Sequence, residues 1–188
     1  MVKSLILCEG GDDIGFINRL CKHVTLDMRK IDIKKVSGKS NFFKTETYET
    51  YLQQIETGLY DKVLFIVDSD DIECDAQYSG FENTNIKLNE MIEYLGITDL
   101  STIHIVCDPF TTNGNLEHLL LSTIEETKKD CLTELLSCIT DMETHSNKKI
   151  LLSSYEAIFK ESPYNFDHQN FNTLITKLKQ LDSINGEQ

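Results

Sequence analysis

The sequence lacks the features that mark membrane and secreted proteins. No apolar run in its 188 residues approaches the roughly 20 residues that a helix needs to cross a bilayer. The amino terminus enters an apolar strand almost at once and has no signal-peptide cleavage pattern. We therefore expect a cytoplasmic protein that makes no membrane contact. Its length is enough for one domain with a real core, with or without a helical extension.

Motifs of several cofactor and enzyme classes are also missing. The glycine-rich turn at residues 10–15 does not contain the GxGxxG fingerprint of dinucleotide-binding proteins, and its acids would repel a pyrophosphate. Gly38-Lys39-Ser40 has the end of a phosphate-binding loop but lacks the upstream glycine at the required spacing. No serine lies in a GxSxG elbow. These absences argue against a dinucleotide enzyme, a P-loop NTPase and a serine hydrolase.

Cysteine is present, but not in a metal-binding pattern. The six cysteines include no CxxC pair, and several fall inside apolar strands or helices. We interpret them as small core residues, which makes a zinc site improbable on sequence grounds.

Positive charge is scarce, with 18 Lys and Arg against 31 Asp and Glu and a net charge of −13. Such a chain is unsuited to coating nucleic acid non-specifically. Residues 29–44 are an exception, since they hold six basic residues and a single acid. In this basic segment, Lys35, Lys39 and Lys44 are candidate contacts to a nucleic-acid backbone. The alternative is an ordinary solvated edge strand and loop.

The order of apolar patterns predicts an α/β fold. Strands are expected at 3–8, 31–36, 62–67 and 102–107, and helices at 13–24, 45–57 and 84–95. Alternation at this spacing implies a mostly parallel four-stranded sheet, Rossmann-like, with helices on both faces. Residues 115–142, 148–160 and 169–182 predict further helices. We therefore divide the chain into an α/β domain, 1–121, and a helical extension, 122–188, packed on it.

Acidic side chains follow two of these strands. Glu9 comes directly after the first strand, and Asp68-Ser69-Asp70 follows the most apolar one. Because strand side chains alternate in direction, Asp68 and Asp70 are expected to face the same way. Ligands of parallel sheets gather at the carboxyl ends of the strands, so Glu9 should lie nearby. Clustered carboxylates repel each other unless a cation neutralises them, which favours Mg²⁺ or Mn²⁺. The alternative is an acidic turn without a ligand.

A further acid follows the fourth strand, within residues 113–118. Glu117 falls in the first turn of the next predicted helix, where a carboxylate also complements the helix dipole. His118 is expected to be a surface residue rather than a ligand.

Three segments together resemble a TOPRIM domain, the metal-binding module of topoisomerases, bacterial primases and OLD-family nucleases. They are residues 7–13, Gly38-Lys39-Ser40-Asn41-Phe42, and residues 63–70 ending in Asp68-Ser69-Asp70. The Glu-Gly-x-x-Asp spacing at 9–13 is most similar to OLD nucleases and to small stand-alone TOPRIM-like proteins of unassigned function. The latter also show a stretch similar to residues 114–120. The resemblance covers about residues 3–121.

The resemblance implies roles for five acids. Asp68 and Asp70 would hold Mg²⁺, and Glu9 would be a general acid/base or a metal ligand. Asp13 and Glu117 would complete a second metal position. The implied activity is metal-dependent phosphoryl transfer, most simply a nuclease that cleaves phosphodiesters.

Two other functions are alternatives to a nuclease, and the sequence favours the first of them over the second. The net charge of −13 favours a non-catalytic module that binds a protein partner, such as an ATPase or an effector chain. A response-regulator-like receiver would use Asp68 as phospho-acceptor, but it needs a fifth strand followed by a lysine, and neither is evident.

Overall fold

The structure is a computed structural model that describes residues 1–73, 75–139, 148–159 and 165–182. Four strands form its centre: β1 (Lys3–Cys8), β2 (Ile31–Lys35), β3 (Tyr60–Asp68) and β4 (Ser101–Val106). They make one sheet in the order β2-β1-β3-β4, and every pairing is parallel. The predicted parallel four-stranded α/β sheet is therefore confirmed.

Seven α-helices surround this sheet in the described residues. They are α1 (Gly11–His23), α2 (Glu49–Glu56), α3 (Phe81–Tyr94), α4 (Leu116–Leu121), α5 (Glu126–Ile139), α6 (Lys148–Phe159) and α7 (Asn172–Asp182). In the same part of the chain, none of them is long and apolar enough to traverse a bilayer. The predicted helix at 45–57 begins later than expected, because Lys39–Phe43 and Thr45–Tyr48 form 3-10 turns first.

Strand side chains alternate between two hydrophobic clusters, one on each face of the sheet. On β1, Ile6 and Cys8 belong to one cluster, whereas Leu5 and Leu7 belong to the other. Burial on both faces explains why β1 and β3 are nearly continuous apolar runs, as is typical of central parallel strands. The first face is covered by α1, α4 and α7, and the second by α2, α3 and the 3-10 turns.

The carboxyl-terminal helices share the core of the sheet. Leu174 and Leu178 of α7 are fully buried in the same cluster as Ile6 of β1. The hydroxyl of Ser4 donates a 2.9 Å hydrogen bond to the carbonyl of Leu181. Residues of the predicted extension thus bury apolar surface of the predicted α/β domain.

The cysteines divide between the core and the surface. Cys8 and Cys21 are fully buried, as the sequence predicted. Cys131 and Cys138 are exposed on α5, so the core interpretation is wrong for these two. Both fall where the helix turns its polar side outward. Cys107 is half-buried, and Cys74 lies outside the described residues.

Candidate metal centre

The turn after β1 places two of the predicted acids. β1 ends at Cys8 and α1 begins at Gly11, so Glu9 lies in the connecting turn. The backbone N–H of Gly10 donates a 2.7 Å hydrogen bond to Oδ2 of Asp13. This bond caps the first turn of α1 and fixes the Asp13 carboxylate beside the carboxyl end of β1.

The turn after β3 places two more acids, but not in the way that strand alternation predicted. β3 ends at Asp68, and Asp70 has a positive φ of 53°, which is incompatible with a continuing strand. The N–H of Ser69 donates to the carbonyl of Val106 at 2.8 Å, and the N–H of Asp70 donates to that of Gly114 at 2.6 Å. These backbone bonds, rather than the pleat, orient Asp70.

The turn after β4 contributes the fifth acid. Glu117 lies in the first turn of α4, and its side chain is only 16% exposed. His118 is half-buried rather than a free surface residue. Its Nδ1 lies 2.7 Å from Oδ1 of Asn115, and its Nε2 contacts the ammonium of Lys148. His118 therefore contacts the residue that caps α4, and it also joins α4 to the first residue of α6.

All five predicted carboxylates line one cavity at the carboxyl edge of the sheet. Its volume is about 260 Å³, and its acidic lining consists of Glu9, Asp12, Asp13, Asp68, Asp70 and Glu117. Parallel topology accounts for the gathering, because the turns after β1, β3 and β4 all emerge at this edge. Glu9 and Asp68 are thus brought together, as the sequence predicted.

Two lysines partly balance these acids. The Nζ of Lys39 lies 3.1 Å from Oδ2 of Asp70 and donates a 2.7 Å hydrogen bond to the carbonyl of Ser69. The Nζ of Lys149 lies 3.2 Å from Oδ2 of Asp12 and 3.3 Å from Oε1 of Glu117. Sequence reasoning missed Lys149, because nothing in a Lys-Lys pair on a distant helix shows that it packs against α1 and α4.

The acids are still costly to ionise together. Burial raises the pKa of Asp68 well above its usual range, and the charges of Asp13 and Glu9 raise it further. Burial also raises the pKa of Glu9, reinforced by Asp70 and Asp13 and opposed by Lys39. The pKa of Asp13 is raised chiefly by burial, against the hydrogen bond from Gly10. Without a cation, these three carboxylates therefore bind protons more tightly than exposed carboxylates do.

The cavity also holds a polar atom without a partner. Oε2 of Glu9 is buried and has no hydrogen-bond partner among the residues that the structure describes. A buried unpaired carboxylate oxygen is costly and calls for an explanation such as an ion or a water. An all-oxygen acidic lining suits a hard divalent cation, which accepts carboxylates and keeps several waters. Within the described ranges no three His, Cys, Asp or Glu side chains form a ready-made metal cage. A bound ion would therefore require waters or modest side-chain movement.

The three lysines proposed as nucleic-acid contacts have different surroundings. Lys35 is exposed at the end of β2, and Lys44 is exposed with its ammonium 2.9 Å from Oδ1 of Asn41. Lys39 is not a solvated loop lysine, because its side chain is only 10% exposed and its ammonium pairs with Asp70, which lines the acidic cavity. Lys35 and Lys44 can meet a ligand at the surface, whereas Lys39 acts within the site.

A second cavity of about 310 Å³ adjoins the acidic one. The two cavities share lining residues, including Asp12, Glu117 and Lys149. The second continues between α1, α4 and α6 and adds Arg19 and the edge of Phe16 to the lining. A ligand larger than an ion therefore has room beside the carboxylates.

Comparison with known proteins gives a family but no activity. No curated protein matches the chain. No solved structure matches it either. A family described as "protein of unknown function (DUF3226)" matches residues 3–162, which include all five candidate metal ligands. The chain belongs to the DUF3226 family.

Proposed function

We propose that this protein binds Mg²⁺ or Mn²⁺ in the acidic cavity and is a TOPRIM-like phosphoryl-transfer enzyme, most simply a nuclease. The observation that carries the proposal is that five carboxylates, which follow three different strands, line one cavity. One of their oxygens, Oε2 of Glu9, is buried without a hydrogen-bond partner among the described residues. The resemblance of residues 7–13 and 63–70 to TOPRIM motifs supplies the chemistry. A cytoplasmic location belongs to the same proposal.

Asp68, Asp70, Asp13 and Glu117 would hold the metal, with Glu9 either beside them or among the ligands. A bound divalent ion would neutralise these carboxylates and stabilise the negative charge that develops on the phosphoryl oxygens. Glu9, whose buried Oε2 lines this cavity, would take a proton from the attacking water as the new P–O bond forms. As the other P–O bond breaks, the leaving oxygen would take a proton from Glu9 or from water and depart as an alcohol, which leaves a phosphomonoester. Lys35 and Lys44 would lie along the path of the nucleic-acid backbone.

Metal binding is tested first, by thermal unfolding of the purified chain with and without millimolar Mg²⁺ or Mn²⁺. Binding to the folded state alone raises the melting temperature by mass action. We expect a rise for the wild type and none for Asp68→Asn combined with Asp70→Asn. Glu134→Gln, an exposed acid on α5, is the matched control and should keep the full rise. An unchanged wild-type melting temperature would count against the site.

Catalysis is tested separately, with single-stranded DNA, double-stranded DNA and RNA incubated with Mn²⁺. Cleavage that disappears in Glu9→Gln supports the nuclease. The second candidate is a non-catalytic metal-binding module that associates with an ATPase or effector protein, and the net charge of −13 favours it. Metal binding without cleavage of any of the three substrates would support that alternative.

A further inference from the structure

Two lysines pair with acids that line the cavity, and they are held in different ways. Lys39 Nζ has three acceptors: the carbonyl of Ser69 at 2.7 Å, Oδ2 of Asp70 at 3.1 Å and Oγ of Ser79 at 3.5 Å. Two of these acceptors are uncharged, and both serines are fully or almost fully buried. The position of this ammonium therefore does not depend on the charge of Asp70 alone.

The backbone fixes Lys39 from the other side. The N–H groups of Ser37 and Gly38 donate to the carbonyl of Glu9, at 3.1 Å and 3.2 Å. The 3-10 turn that begins at Lys39 is therefore joined to the end of β1. With its side chain only 10% exposed, Lys39 is built into the Glu9 and Asp70 side of the cavity.

Lys149 has the opposite character. Its side chain is 71% exposed, and among the described residues its acceptors are the carboxylates of Asp12 and Glu117. The pair with Asp12 is exposed on both sides and contributes little, whereas in the pair with Glu117 only the lysine is exposed. A cation that binds Glu117 more strongly than an ammonium does can displace Lys149 into solvent, and within the described part of the chain this breaks only the bonds to Asp12 and Glu117.

We propose that Lys39 is a permanent built-in cation of the site, so that the cavity takes a single divalent ion. The ion would enter on the side of Asp13, Asp68 and Glu117, in exchange for Lys149, and Asp70 would reach it from the side of Lys39. This inference rests on the proposed metal binding and adds the number of ions and the residue that sets it. Lys39 is a positioning residue here, because it holds Asp70 and supplies the charge of a second ion.

The experiment counts Mn²⁺ ions bound to the full chain, by electron paramagnetic resonance of free Mn²⁺ and by calorimetric titration. The wild type should bind one ion. Lys39→Gln removes the charge but leaves an amide that can still donate to the carbonyl of Ser69, and it should bind two. Lys39→Arg keeps the charge and should bind one.

Lys149→Met is the matched control on the other side of the cavity. It should still bind one ion, but about two- to fivefold more tightly, because a competing surface ion pair is gone. Two ions in the wild type, or one in a folded Lys39→Gln, would overturn the inference while leaving metal binding intact. Should Lys39→Gln fail to fold, the inference would still be overturned by two ions in the wild type or by an unchanged Mn²⁺ affinity in Lys149→Met. No binding to the wild type would instead overturn the proposed function.

Discussion

The backbone N–H of Asp70 donates a 2.6 Å hydrogen bond to the carbonyl of Gly114. This bond joins the turn after β3 to the turn before α4, and the hydroxyl of Ser69 adds a 2.9 Å bond to the carbonyl of Thr112. The Asp70 and Glu117 carboxylates consequently line the same cavity. These hydrogen bonds hold the two carboxylates in one cavity although their negative charges repel each other.

Gly114→Ala should destabilise the protein. Gly114 has a φ of +91°, and an added Cβ would lie 2.4 Å from the ring of His118. We expect the free energy of unfolding to fall by about 1–3 kcal/mol, from backbone strain and overpacking. Urea denaturation measures the change. Gly96→Ala is the control, because Gly96 has a φ of +70° and no atom of the described residues lies within 4 Å of the added Cβ. An equal loss in both variants would show that the contact with His118 is unimportant.

The metal-free protein should lose stability as pH rises. The pKa values of Asp68, Glu9 and Asp13 are raised on folding, so the folded state retains protons that the unfolded state has released. Stability contributed by these protons is complete below the unfolded pKa values, near 4, and declines as pH rises through the higher folded values. Urea midpoints in a chelator at a series of pH values from 4 to 8 should show the decline.

Asp68→Asn isolates the main contributor to this effect. Without metal, the variant should be more stable than the wild type at neutral pH, by about 0.5–2 kcal/mol, because a buried charge among other acids is removed. Its pH dependence should also be shallower. Glu134→Gln, an exposed acid on α5, should leave both quantities unchanged. A destabilised Asp68→Asn would show that this carboxylate has a structural partner.

Leu178→Ala should show that α7 belongs to the core. Leu178 is fully buried in the cluster that contains Ile6 and Leu64. Truncation should cost about 2–5 kcal/mol through lost burial and the resulting cavity. Ile86→Ala on α3, where the side chain is 53% exposed, should change stability by no more than about 0.5 kcal/mol. Chemical denaturation of the full chain distinguishes them, and similar small effects would mean that α7 is dispensable.

Thiol reactivity should follow the division between buried and exposed cysteines. Burial raises the pKa of Cys8 to about 12 and that of Cys21 to about 11, so both lack the reactive thiolate at pH 8. Cys131 and Cys138 are exposed on α5 and should be alkylated first. Mass spectrometry of peptides after brief iodoacetamide treatment measures the order. Rapid labelling of Cys8 in the folded protein would contradict the burial of its side chain in β1.

The sequence alone determined the positions of the strands, because the strands are short apolar runs. Runs of this length and composition are what burial on both faces of a sheet requires. It also pointed to Glu9, Asp68 and Asp70, which follow strands at the sheet's carboxyl edge, whereas Asp13 and Glu117 were implied by the resemblance to TOPRIM domains. The reason given for Asp70 was nevertheless wrong. Its orientation comes from a positive φ and the bond to Gly114, and neither has a periodic pattern.

Only the tertiary structure decided which cations accompany these acids. Lys39 belongs to a basic segment that suggested an exposed surface, yet its ammonium is turned inward by acceptors 30 to 40 residues away. Lys149 is brought to the same cavity by a helix that sequence pattern alone could not orient. Local patterns are set by neighbours along the chain, so the sequence determined the strands, the acids and the edge where they meet. The charge balance of the site is set by residues distant in sequence, and only packing brings them together.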